Sequence, residues 1–67
     1  MGEIVLNGEK KVLGEATPLL TLLERLEFRT KWVIVERNGE PVPREEYAAT
    51  VIEPGDRIEI ATPMAGG

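Results

Sequence analysis

The chain has 67 residues, with 12 acidic side chains against 8 basic ones and a net charge of −4. Cysteine, histidine and serine are all absent, which excludes disulfides, thiolate and imidazole metal sites, and catalysis by a thiol, a serine hydroxyl or an imidazole. The acidic balance argues against nucleic acid and anionic membranes as partners and favours an electropositive protein surface.

One domain spanning residues 1–67 is expected, because a chain of this length supports only one small core. Near the start, "EIVLN" at 3–7 alternates: Ile4 and Leu6 share one face, Glu3, Val5 and Asn7 the other. That is the period-2 pattern of a half-buried strand. Asn7-Gly8 follows, the strongest short hairpin signal, because both residues accept positive φ. A second strand is predicted over about 10–13. The early acid and the lack of a long apolar run give no signal peptide, Leu6 breaks the myristoylation pattern, and no stretch approaches the ~20 apolar residues of a membrane span. A cytoplasmic location is the expectation.

In "ATPLLTLLERLEF", Thr17 reads as a helix N-cap and Pro18 as the first helical residue. Leu19, Leu22, Leu23 and Leu26 recur at helical spacing with Leu20 beside the stripe. The spacing predicts an amphipathic core helix of roughly three turns. A third strand is predicted over about 32–37, closed by Asn38-Gly39. A short helical turn at 45–50, a strand at 51–52 and a Pro54-Gly55 type II turn come next. The last strand is predicted over 57–61, with Ile58 and Ile60 inward.

A hairpin, one helix and returning strands make an α+β sheet with the helix across one face. If the first and last strands are parallel central neighbours, the architecture is the β-grasp, or ubiquitin-like, fold. Residues 63–67 then follow a central strand as a flexible tail ending in Gly66-Gly67. On the outward parity of the sheet, Val5, Trp32 and Ile34 stand among Glu3, Glu36, Arg57 and Glu59, with Ile34 expected beside Val5. With Met64 and Ala65 of the tail, Val5 and Ile34 form the candidate partner interface; Trp32 reads better as satellite core capping the helix end. Glu45, Glu46, Glu53 and Asp56 read as solvated turn residues rather than a metal site or an acid–base pair. Lys10-Lys11 is too small for a nucleic-acid footprint.

"LNGE" at 6–9, "TPLLTLLERL", and "VPREEYAATVIEPGDRIEI" followed by a terminal "AGG" resemble the ThiS family of sulfur carriers in thiamine biosynthesis, over Ile4 to Gly67. The resemblance implies a carrier rather than an enzyme. In that family a ThiF-type adenylating enzyme uses ATP to activate the terminal carboxylate, which the resemblance places on Gly67, matching the family tail together with Gly66. Sulfur from a cysteine persulfide, supplied by a cysteine desulfurase or another donor, converts it to a thiocarboxylate, and a ThiG-type thiazole synthase takes the sulfur. On this reading the chain holds no cofactor or metal of its own and is a monomer when free. Two features depart from the family pattern. "EFRTKW" lacks the usual glycine after the helix, and Arg37 shares the inward parity of Val33 and Val35, which suggests a solvated strand end. Sulfur delivery to tRNA thiolation or molybdopterin synthesis, a ubiquitin-like protein modifier, and a non-covalent interaction module stay open.

Overall fold

The computed structural model describes residues 2–28 and 33–62; Trp32 and the tail residues 63–67 lie outside them. In chain order the elements are β1 (Gly2–Leu6), β2 (Glu9–Gly14), β3 (Thr17–Pro18), α1 (Leu19–Arg25), β4 (Ile34–Arg37), β5 (Glu40–Pro41), a 3-10 helix (Arg44–Ala49), β6 (Val51–Ile52) and β7 (Arg57–Ala61). The main sheet has the order β2-β1-β7-β4-β5, and β3 and β6 form a separate antiparallel pair. β1 and β7 run parallel, while β1–β2, β4–β7 and β4–β5 are antiparallel. This is the expected β-grasp. Among the described residues no helix is long and apolar enough to cross a membrane.

Turn chemistry accounts for both hairpins. Asn7 and Gly8 have φ of 50° and 86°, and Asn38 and Gly39 have 53° and 88°. Two successive positive φ values give the turn whose twist matches the strands it joins, and asparagine followed by glycine adopts it at least cost.

The helix starts later and is shorter than its periodicity predicts. Thr17 is not a cap: it lies buried in β3, its hydroxyl donates to the Glu15 carbonyl at 2.9 Å, and it is in register with Ile52. Pro18 has an extended ψ of 141° and pairs with Val51. Strand pairing therefore holds these two residues in the extended region that capping would otherwise need only at the first. At the other end Glu27 adopts φ 64°. Its N–H donates to the Glu24 carbonyl at 3.0 Å and the Phe28 N–H to that of Leu23 at 2.9 Å. These are the two bonds of a Schellman cap, with glutamate where glycine is favoured. The missing glycine thus does not change how the helix stops.

The core lies between α1 and one face of the sheet. Leu19, Leu22 and Leu23 pack with Ile4, Leu6, Val33, Val35, Tyr47, Ile52, Ile58 and Ile60. Leu26 and Phe28 lie partly buried against them. The Tyr47 hydroxyl donates to the Val33 carbonyl at 3.1 Å and accepts the Val35 N–H at 3.2 Å. It therefore replaces backbone partners at the start of β4, where a buried unpaired peptide group would be costly.

One polar group is buried with a purpose that the sequence hides. Asp56 is not a solvated turn residue; it is 8% exposed. Its Oδ2 accepts the Arg37 Nε at 2.9 Å and the Glu53 N–H at 2.9 Å, and its Oδ1 accepts Asn38 Nδ2 at 3.1 Å. Arg37 likewise does not mark a solvated strand end: its inward parity delivers the guanidinium to this carboxylate. Burial pushes the Asp56 carboxyl up, but the Glu53 and Asn38 hydrogen bonds and the Arg37 charge outweigh it and hold the group below the ordinary aspartate value. Glu45, Glu46 and Glu53 are exposed as expected; among the described residues no three His, Cys, Asp or Glu side chains gather in a metal-holding group.

Leu23 is fully buried under the sheet, so Leu23→Ala should cost about 2–5 kcal/mol of unfolding free energy. Chemical denaturation measures this directly, and a loss near zero would contradict the packing. For Asp56, the lowered folded-state value means that its contribution is complete above the unfolded value of about 3.9 and is lost as pH falls through the folded one. Asp56→Asn should therefore lower the urea midpoint at neutral pH, and the gap to the parent should close as the pH is taken down toward about 2. A gap independent of pH would show that the carboxylate charge contributes nothing.

Candidate functional site

The sheet face opposite α1 carries the candidate interface, and the strand registers decide which residues meet there. On β4 and β7, Ile34 stands opposite Ala61 and Glu36 opposite Glu59. Val35 and Ile60, the pair between them, point into the core. Ile34 is 52% exposed, a large apolar side chain in water on the strand next to the one that leads to the tail. Val5 lies on the same face, half-buried, in register with Arg57.

Val5 and Ile34 are therefore not neighbours. β7 lies between their strands, and their partners Arg57 and Ala61 are about 13 Å apart along it at the usual rise per residue. Ile34 sits at the end of β7 nearest the tail and Val5 at the end farthest from it. The apolar neighbour of Ile34 is Ala61. Trp32, Met64, Ala65, Gly66 and Gly67 lie outside the described residues.

A shallow depression at the tail end of β7 is lined by Asn7, Ile34, Glu36, Glu59, Ile60 and Ala61. Its volume of about 180 Å³ is smaller than the ~300–1,000 Å³ of ligand pockets, and suits a protein side chain better than a cofactor. Glu36 and Glu59 face each other across the strands, an arrangement that is unfavourable for like charges. Among the described residues the ion pairs are Lys11–Glu9 and Arg37–Asp56; neither includes Glu36 or Glu59. Arg57, on the same face, reaches over Gly39, where its guanidinium is 3.5 Å from the position of an added Cβ. The charged residues that line the depression are thus both acidic, and Ile34 and Ala61 line it with apolar side chains.

Sequence reasoning missed Asn7 as part of this site. Its side chain bonds both backbone groups of Ile60: Oδ1 accepts the Ile60 N–H at 2.8 Å, and Nδ2 donates to the Ile60 carbonyl at 3.2 Å. The available signal was the asparagine of an Asn-Gly turn, which serves equally well to explain the turn alone. Asn38 shows a related use, its Oδ1 accepting the Arg57 N–H at 2.8 Å. Both Asn-Gly turns therefore lend side-chain groups to β7, one near each end.

Comparison with known proteins agrees with this architecture. A thiazole synthase of Paramagnetospirillum magneticum is 35% identical over 65 residues, which are 97% of this chain and 20% of that protein. The chain thus spans about one fifth of the length of that relative. The sulfur carrier protein ThiS of Escherichia coli is 29% identical over 97% of this chain and 98% of its own. The crystal structure of a thiamine biosynthesis protein, ThiS, from Geobacter metallireducens superposes with a TM-score of 0.83 at 32% identity, covering 97% of this chain and 99% of that one. The sequence model of the ThiS family matches residues 3–67. By that match, which runs from β1 through the last glycine, the chain belongs to the ThiS family.

Proposed function

We propose that this chain carries sulfur for assembly of the thiamine thiazole, as a thiocarboxylate on Gly67. The observation that carries the reading is the family match over residues 3–67, which takes in the Gly66-Gly67 end. The role is that of a carrier and not of an enzyme. The chain supplies the reacting carboxylate and its tether, and its partners supply nucleotide, metal and base, as with other group carriers.

A carboxylate is a poor electrophile. A ThiF-type enzyme transfers AMP from ATP to the Gly67 carboxylate and releases pyrophosphate. The terminal sulfur of a cysteine persulfide, supplied by a cysteine desulfurase, attacks the acyl carbon and expels AMP. Cleavage of the resulting acyl disulfide by a thiol leaves the thiocarboxylate and a disulfide. A ThiG-type synthase then accepts the sulfur. Support for that partner comes from the thiazole synthase that contains a stretch similar to almost all of this chain. Residues 63–67 act as the reactive tail, and glycine suits an acyl group that must thread a narrow channel, where a Cβ would meet the enclosing walls. The carrier needs no cofactor, and the site of action is the cytoplasm.

In this reading Ile34, Met64 and Ala65 meet the partner that encloses the tail, with Val5 at the distant edge of the same face. Ile34→Asp should weaken binding to the adenylating enzyme by roughly tenfold or more, the scale of an interfacial anchor, and leave the thermal midpoint nearly unchanged. Calorimetric titration and a thermal scan measure the two effects; unfolding of the variant would place Ile34 in the core instead.

The carrier reading itself is tested by mass spectrometry after incubation with the ThiF-type enzyme, ATP and a persulfide donor. The expected product has one oxygen replaced by sulfur, confined to the peptide that ends in Gly67. Gly67→Ala retains a carboxylate but adds a methyl beside the reacting carbon, and conversion should fall sharply with folding intact. An unmodified terminus, with the enzyme active on its own proper carrier, would sink the proposal. An isopeptide bond from Gly67 to a lysine would establish a protein modifier in its place.

A further inference from the structure

The side chain of Asn7 completes the central ladder where the strand itself stops. In the parallel pair, the Val5 N–H donates to the Asp56 carbonyl at 3.0 Å and the Asn7 N–H to that of Ile58 at 2.9 Å. Continued one step, the ladder would have the Ile60 N–H donate to the backbone carbonyl of residue 7, and the Ile60 carbonyl accept the N–H of residue 9. It cannot continue, because Asn7 turns into the hairpin with φ 50° and residue 9 belongs to β2. The Asn7 carboxamide takes over both tasks, accepting from the Ile60 N–H and donating to the Ile60 carbonyl. A primary amide has the donor and acceptor of a peptide unit, so one side chain stands in for the missing unit.

We propose that Asn7 is a positioning residue: its carboxamide fixes the backbone at Ile60 and so sets the direction in which the chain leaves β7 toward the C-terminal glycines. This rests on the carrier reading above, which makes that direction matter. Ile60 is two residues before Thr62, the last described residue. On its other side β7 runs beside β4, where Val35 lies opposite Ile60 without a backbone bond between them, since the Val35 N–H goes to Tyr47 and its carbonyl accepts from Val42. With Asn7 in place both Ile60 peptide groups are bonded on the β1 side although β1 has already ended at Leu6, while the flanking Glu59 and Ala61 lie opposite Glu36 and Ile34 of β4. The requirement is specific to asparagine. Aspartate also suits this turn, but its second oxygen would face the Ile60 carbonyl and repel it. Glycine keeps the turn and supplies neither group. Both variants therefore separate the clamp from the hairpin.

The test uses Asn7→Gly and Asn7→Asp in the full chain, with two readouts. By amide hydrogen exchange, the Ile60 N–H of Asn7→Gly should exchange roughly tenfold faster or more, the scale of losing two hydrogen bonds, with Val5 protected as before. In adenylation by the ThiF-type enzyme, both variants should show a raised KM for the carrier, by about the same factor, with kcat nearly held, because a partner can re-impose the direction only at the expense of binding. Unchanged exchange at Ile60, or equal acceleration at Val5 and Ile60, overturns the clamp. Faster exchange confined to Ile60, with an unchanged KM, overturns the positioning role. If the enzyme ignores the parent chain as well, it is the carrier reading that fails, and the exchange readout then decides the clamp alone.

Discussion

The pairing of the first strand with the last is the constraint on which this molecule depends. Parallel neighbours cannot be joined by a tight turn, so the chain between β1 and β7 must cross over one face of the sheet. α1 lies in that crossover and covers the face with Leu19, Leu22 and Leu23. β7 thereby becomes a central strand with partners on both sides. The tail is attached to one of the best-supported parts of the molecule, and the outer face beside it is left uncovered by the helix.

On the proposed reading, that outer face is where a partner docks. Its exposed isoleucine lies beside two glutamates in register, a combination that does nothing for the stability of the isolated chain. The deeper carboxylate, Asp56, is treated oppositely: three donors surround it. One acidic group closes the corner between β4 and β7, and two others leave a potential that a basic surface can satisfy. The division follows from parity. Arg37 points inward and reaches Asp56, whereas Glu36 and Glu59 point outward and meet each other.

Much of this was legible in the sequence, because it rests on local patterns. Alternation in 3–7 and 57–61 gave the faces of β1 and β7, the Asn-Gly pairs gave both hairpins, and the leucine spacing gave the buried side of α1. What escaped was decided by distant partners. Thr17 and Pro18 read as a helix start until Ile52 and Val51 pair with them. Asp56 reads as a turn acid until Arg37 and Asn38 arrive from another strand. Parity placed Val5 and Ile34 on one face, but their separation depends on register along β7, which neither strand encodes alone. The second use of Asn7 was hidden for a similar reason: the turn alone already accounts for an asparagine there.

The central place of β7 also bears on the order in which the protein can assemble during synthesis. Residues 57–61 are made after every other strand, yet the sheet has no middle without them. Until they emerge, the β1–β2 and β4–β5 hairpins have no strand to join them, and each offers an open edge together with the apolar side of an uncovered sheet. The nascent chain therefore cannot close its core stepwise from the N-terminus; it must wait and then close in one late, long-range event. The interval in which the chain is vulnerable to aggregation or proteolysis ends only when the strand that leads to the glycine tail has been delivered.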